Sequence, residues 1–259
     1  MKLPIYQLDA FTRRAFGGNP AAIVLMDEWL PDAVLQSIAA ENNLAETAFV
    51  IPKGEVCPLR WFTPAVEIDL CGHATLATAD VLFRERFPAL RRIAFTTLSG
   101  ELVVERAADG LAMDVPSRPG RAVPVSEQIV AAAGGRPREA YLARDLMVVF
   151  ENEEQVRELR PDFARIAALD AFALIVTAPG RDADFVSRFF APKAGIPEDP
   201  ATGSSHCTLT PYWAQRLRKS ALTARQLSPR GAEMRCEQRG DRVVISGQCA
   251  WYLTGEIDI

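Results

Sequence analysis

The chain has 259 residues, 49% hydrophobic and 24% charged, with a formal net charge of −4. That is enough apolar material for one or two packed domains, and no basic block is present to grip nucleic acid or an anionic membrane. The five cysteines (Cys57, Cys71, Cys207, Cys236, Cys249) are odd in number and include no C-x-x-C pair, which argues against a disulfide framework and for a reduced, cytoplasmic setting.

In chain order, "MKLPIYQLDAF" alternates as a strand does and lacks the apolar run of a signal peptide. No later segment is apolar for long enough to span a bilayer, because charges such as Asp170 interrupt the richest stretch. "AAIVLM" (21–26) reads as a second strand, and "PDAVLQSIAAENN" (31–43) as a helix with Pro31 at its first position. "NNLAETAFV" then places Glu46 just ahead of a strand-like run. A carboxylate drawn into an apolar setting has its ionised form penalised, which suits a group that takes up and returns a proton.

"RWFTPAVEIDLCGHATLATADVLF" begins at Arg60. Its residues 74–83 are apolar on nearly all sides, with Asp80 the only charge, so the predicted helix is sheathed by other structure. His73 therefore lies at the head of a buried element. The first turn of such a helix exposes N–H groups and partial positive charge, able to hold a carboxylate, and Gly72 would let that ligand approach closely. The same field disfavours a protonated imidazole and predicts a neutral His73.

"SGELVVERAADGLAMDV" reads as a hairpin, "PSRPGRAVP" (116–124) as a hinge, and "SEQIVAAAGG" as a helix capped by Ser126 and stopped by Gly134. "FALIVTAP" follows as a strand. "RFFAPKAGIPEDPATGSSHCTLTPYW", from Arg188, then repeats the order seen from Arg60: Arg-aromatic-Phe-x-Pro, an acidic turn, a Gly, a His and an apolar run. "RGAEMRCEQRGDRVVIS" repeats the hairpin, so the chain reads as two similar halves. Pro211 falls inside the second helix and either kinks it or opens its regular part behind a capping Thr210. The second turn supplies Asp199 and Ser204. Taken singly, Asp199 before Pro200 is a turn former, Ser204 a cap, and Cys71 and Cys207 small buried residues. Their joint placement at matching helix heads favours function.

Together "DAFTRRAFGGNPAAIVL", "NLAETAFV", "RWFTPAVEIDLCGHATLATA" and "EDPATGSSHC" resemble the PhzF-like family of phenazine-biosynthesis isomerases and relatives, within the diaminopimelate-epimerase-like fold. The resemblance covers essentially the whole chain. It implies an α+β protein of two similar domains, each a curled sheet around a central helix, with the active site in the cleft between them. Residues 1–118 joined by the last strand, 249–259, would form the first domain and 119–248 the second. It also implies a homodimer acting on a small-molecule carboxylate without cofactor or metal. By motif, Glu46 would be the proton shuttle, with His73 and Asp199 as its catalytic companions. Asn19, Gly72, Gly203 and Ser204 would bind substrate. Epimerases and racemases of this fold use two cysteines, one at each helix head. Here Cys71 fills the first place, Thr202 stands in the second, and Cys207 lies several residues too late. A hydroxyl does not ionise usefully near neutral pH, so Glu46-centred isomerisation is preferred.

Other classes fit less well. A hydrolase with Cys71 or Ser204 as nucleophile lacks a G-x-S-x-G turn. A zinc site from Cys71, His73, His206 and Cys207 has suitable ligands at spacings that match no common zinc pattern. A non-catalytic small-anion binder is a further alternative, against which the acidic residues speak weakly.

Overall fold

The alternating N-terminal segment is a strand, β1 (Lys2–Ala10), in the computed structural model, which describes residues 1–259. Two units are distinguished: Met1–Asp114 with Ser246–Ile259, and Val115–Ile245. The first continues through β2 (Asn19–Leu25), α1 (Asp32–Asn42), β3 (Glu46–Val50), β4 (Val56–Phe62), the short β5 (Glu67–Ile68), α2 (Gly72–Glu85), β6 (Arg92–Thr97), β7 (Gly100–Ala107) and β8 (Gly110–Pro116). Helix α1 begins one residue later than the sequence predicts, with Pro31 as its N-cap.

β2 pairs antiparallel with β1 and parallel with β3, and β4 is antiparallel to β3 and parallel to β6. β7 is antiparallel to β6 and to β8. Parallel neighbours need a crossover. Helix α1 supplies one, burying Leu35, Ile38 and Ala39 in a cluster with Phe49 and Phe62, and α2 supplies the other.

Helix α2 touches β1, β2, β3 and β7, and every residue from His73 to Phe83 is buried. Its two threonines and leading glycine are poor helix formers, so packing rather than propensity holds it. Leu76, Val81, Leu82 and Phe83 are nearly sealed from solvent and contribute about 1.5–3 kcal/mol each. The threonine hydroxyls turn back on the helix: Thr75 donates to the Cys71 carbonyl at 2.5 Å and Thr78 to that of Ala74 at 2.7 Å. Both polar groups are thereby satisfied inside the core. Asp80 accepts from Trp251 Nε1 at 2.6 Å and meets Arg84 Nε at 3.0 Å. Burial raises its carboxyl pKa, against the pull of those two partners.

The second unit contains β9 (Arg121–Val123), α3 (Glu127–Ala133), β10 (Glu139–Leu142), β11 (Leu146–Val149), α4 (Glu153–Glu158), α5 (Phe163–Ala167), β12 (Leu174–Pro179), β13 (Phe185–Phe190), α6 (His206–Leu217), β14 (Ala221–Gln226), β15 (Ala232–Arg239) and β16 (Arg242–Gly247). The last strand, β17 (Cys249–Asp258), lies antiparallel to β1 and also touches α2. Part of the stretch expected to be a hinge is thus a strand, because Arg121–Val123 finds an antiparallel ladder with β10. Ser126 caps α3, its side chain accepting from the Ile129 amide, and Gly134 ends the helix at φ +76°.

The pairing from β10 to β15 runs antiparallel, parallel, antiparallel, parallel, antiparallel. The first unit gives the same series from β1 to β7, with α2 and α6 each preceding the later strand of the second parallel pair. The duplication read from motif order is therefore also a duplication of topology.

Helix α6 starts at His206, not behind Thr210, and Pro211 lies inside it. A proline there cannot donate to the carbonyl four residues back. The Arg118 amide donates to that Cys207 carbonyl instead, at 2.8 Å, so the missing bond is replaced from outside the helix. Around α6, Phe185 stacks on Trp213 at 5.7 Å between ring centroids, and Trp213 Nε1 donates to Thr177 Oγ1 at 3.0 Å. The His206 ring is fully buried beside Phe185, with Nδ1 2.9 Å from the Thr202 carbonyl. Burial lowers its pKa from 6.5 to about 4, opposed by that carbonyl bond. No helix is long and apolar enough to cross a membrane.

Two outcomes are expected. Gly134→Ala places a Cβ 2.3 Å from the Arg160 carbonyl oxygen at positive φ, and denaturant melts should lose roughly 1–3 kcal/mol. His206 is neutral in the fold but takes a proton when unfolded. Its contribution is thus present above pH 6.5 and is lost as pH falls through about 4, an effect of about 3 kcal/mol. Stability measured across that window should fall less steeply for His206→Asn than for the parent chain.

Candidate active site

The stretch "FGGNP" turns the chain from β1 into β2 and sets Asn19 at the head of β2, opposite Ala10. Gly18 has φ +55°, and a Cβ there would meet the Ala10 carbonyl oxygen at 2.0 Å, so only glycine allows this approach. The parallel ladder between β2 and β3 pairs Ala21 with Glu46, which puts Glu46 at the head of β3 on the neighbouring strand. Both residues are buried, Asn19 completely and Glu46 at 6% exposure.

Helix α2 brings His73 to the same place. Cys71 is its N-cap in extended conformation, and the Thr75 amide makes the first intrahelical bond, to the Cys71 carbonyl at 3.2 Å. The amides of Gly72, His73 and Ala74 precede that bond and have no acceptor within the helix. His73 Nε2 is 3.0 Å from Glu46 Oε2, and Asn19 Nδ2 is 3.2 Å from His73 Nδ1. The first of these has the geometry of an ion pair rather than a straight hydrogen bond, because Glu46 Oε2 accepts none. Cys71 Sγ lies 3.5 Å from His73 Nδ1 and 3.9 Å from Nε2. The structure therefore brings Glu46, His73, Asn19 and Gly72 together, with Cys71 beside them.

The expected neutral imidazole is corrected. Burial alone would lower the His73 pKa, but it is raised well above 6.5. The Cys71 thiol acts in the same direction only when ionised, and its own pKa is raised, chiefly by burial and then by the Glu46 charge. Near neutral pH Cys71 is a thiol, so the Glu46 carboxylate is the charge that holds the proton on His73. A full opposite charge 3.0 Å away outweighs a partial helix-end charge. The same protonated thiol removes Cys71 as a ready nucleophile.

Asp199, Gly203 and Ser204 belong to the second unit, at the turn before α6. The Thr202 hydroxyl donates to the Asp199 carboxylate. Buried Gln226 clamps the turn from β14: its Nε2 donates to the Asp199 carbonyl at 2.6 Å, and its Oε1 accepts from the Thr202 amide at 2.8 Å. Ser228 Oγ donates to the Pro200 carbonyl at 2.8 Å. Ser204 is not the helix cap, a place taken by Ser205. Arg144 Nη2 lies 3.4 Å from Ser204 Oγ, while the guanidinium forks buried Asp145 at 2.9 and 2.8 Å. Ser204 thus has a cationic donor, not a base, as its neighbour, against the hydrolase reading. His206 directs Nδ1 to Thr202, and Cys71 and His73 take Glu46 as third partner, so the four-ligand zinc grouping is replaced by a different cluster.

Gln226, Ser228 and Arg144 were missed by sequence reasoning. A glutamine ending a strand and an arginine in a tight turn carry no signal until the chain folds back on them. Thr202, three residues after Asp199, did carry one, as the spacing of a local side-chain turn.

The chain is similar to known proteins along nearly its whole length. A protein from Pseudomonas aeruginosa named an uncharacterized isomerase is 48% identical over 258 residues, covering 99% of each chain. The crystal structure of a PhzF-family phenazine biosynthesis protein from Enterococcus faecalis superposes with a TM-score of 0.98 at 47% identity, covering 100% of both chains. A hydroxyproline epimerase from Agrobacterium vitis, 8% identical with a TM-score of 0.62 over 99% of this chain and 92% of its own, shares the fold alone. The family model described as phenazine biosynthesis-like protein matches residues 8–255. Across its whole folded length, then, the chain belongs to the PhzC-PhzF, phenazine biosynthesis-like family.

Proposed function

We propose that this PhzF-like isomerase moves a proton between two carbons of a small carboxylic acid, with Glu46 as the general acid/base. The observation that carries the reading is the buried Glu46 carboxylate 3.0 Å from His73 Nε2, at the head of a helix whose first amides lack acceptors within it. In the first step Glu46 removes a proton from carbon next to an unsaturated or carboxyl-bearing group. The electron pair delocalises into that group, and developing negative charge is met by the amides of Gly72 and His73 and by the protonated imidazole. In the second step Glu46, now the acid, returns the proton to another carbon. Proton and electrons balance within the substrate, so the step needs no redox partner.

His73 supplies a fixed positive charge beside Glu46, and Asn19 holds its ring through Nδ1 once the amide is turned so that its oxygen accepts from Nδ1–H. Asp199, Gly203 and Ser204 enter the proposal as substrate-binding residues, with Asp199 also adjusting charge. Their turn is held rigid by Gln226, which suits orientation. Conversion of Thr202 to a second base is disfavoured, because its hydroxyl already donates to Asp199.

Glu46→Gln should lower proton exchange between deuterated water and a panel of small carboxylic acids by about 10²–10⁴-fold, with ligand binding largely kept. Exchange at the parent rate in that variant removes Glu46 from the mechanism. Asp199→Asn should act mainly on KM, and an unchanged KM in both Asp199→Asn and Ser204→Ala takes the second turn out of the reading.

A further inference from the structure

The cluster at the head of α2 offers one carboxylate oxygen, one thiol and one imidazole nitrogen, all within 4.8 Å of one another. These are zinc ligands by chemistry. Zinc bonds of about 2.3 Å to sulfur and about 2.0–2.1 Å to nitrogen and oxygen, opened at a tetrahedral angle, separate sulfur from nitrogen by about 3.6 Å and nitrogen from oxygen by about 3.3 Å. Here Cys71 Sγ is 3.9 Å from His73 Nε2, and that nitrogen is 3.0 Å from Glu46 Oε2. The sulfur lies nearer Nδ1, at 3.5 Å, so a side-chain rotation of Cys71 toward Nε2 is needed before all three ligands, now within 4.8 Å of one another, reach one ion.

Two further features favour an ion. Glu46 Oε2 is buried and accepts no hydrogen bond. A ligating imidazole is usually oriented through its other nitrogen, and Asn19 faces His73 Nδ1 at 3.2 Å. A half-turn of the Asn19 amide presents its oxygen to an Nδ1–H, at no cost in shape. The α2 N-terminus opposes a cation, but by about 0.3–1 kcal/mol, which two anionic ligands exceed.

We infer that Glu46, Cys71 and His73 form an inhibitory site for a zinc-class divalent cation, bound through three protein ligands with the fourth position open to water. Binding displaces the Cys71 and His73 protons and ties the Glu46 carboxylate to the metal. A ligated carboxylate no longer shuttles a proton. The ion is thus a competitor of the reaction, not its cofactor. Binding rests on the cluster alone, whereas inhibition also rests on the proposed role of Glu46.

The test separates the two. The chelator-treated full chain is titrated with Co²⁺ as a spectroscopic stand-in and with Zn²⁺ by equilibrium dialysis. One ion per chain is expected, with a thiolate-to-cobalt charge-transfer band. Cys71→Ser should lose the band and bind about a hundredfold more weakly or worse. His73→Asn serves where Cys71→Ser does not fold, and thermal melts of each with and without Zn²⁺ give a second readout. Retention of no metal by the parent chain, or a band unchanged in Cys71→Ser, overturns the site. Stoichiometric Zn²⁺ should stop proton exchange, and chelator should restore it. Exchange that continues with the site filled overturns inhibition and the general-base reading together while leaving the metal site standing.

Discussion

A carboxylate sealed from water needs compensation, here from a positive charge, and this constraint organises the first unit. Glu46 is nearly buried, and His73 stands 3.0 Å away. Removing two charges from water costs several kcal/mol per ion, so such a pair persists only where the surroundings hold both partners in place. They do so from three directions. The β2–β3 ladder fixes Glu46, the Gly18 turn fixes Asn19 behind the imidazole, and the body of α2 is packed along its length by strands. A helix buried on every side cannot slide or roll without breaking the core, so its head stays where the carboxylate needs it.

The second unit repeats the topology with a different electrostatic solution. Its helix head carries no buried carboxylate–imidazole pair of its own. The Asp199–Thr202–Gln226 hydrogen bonds shape the turn instead, and His206 is kept neutral by burial with Nδ1 directed to a carbonyl. One duplicated frame thus gives a charged helix head and a hydrogen-bonded one. Pro211, whose missing bond is replaced by the Arg118 amide, shows how far the second copy has departed from a regular helix.

Much of this was legible in the sequence wherever a local rule decides the outcome. Ser126 and Gly134 delimit α3 by capping chemistry alone, and the all-round apolar run 74–83 could only be a sheathed helix. Order and type of motif revealed the duplication because register and crossover follow the same local patterns in both halves. Features decided by non-local contact were not legible. The charge of His73 depends on a carboxylate 27 residues earlier, and helix-end reasoning alone gave the wrong sign. Gln226 reaches the Asp199 turn from a strand that follows α6. Pro211 defeated the local rule because its compensating donor lies far back in the chain.

The asymmetry between Cys71 and Thr202 bears on the type of proton transfer proposed. Two bases, one on each side of a carbon, invert it: one removes the proton and the other delivers a different one. A single base that both removes and returns the proton must work on one face, and it can deliver to any carbon within its reach. Cys71 is held as a thiol by burial, and the Thr202 hydroxyl is engaged by Asp199. Neither is free to serve as half of an inverting pair, which leaves the proposed single-base role to Glu46. The proposed reaction is therefore displacement of a proton along a delocalised system, with substrate geometry choosing the receiving carbon.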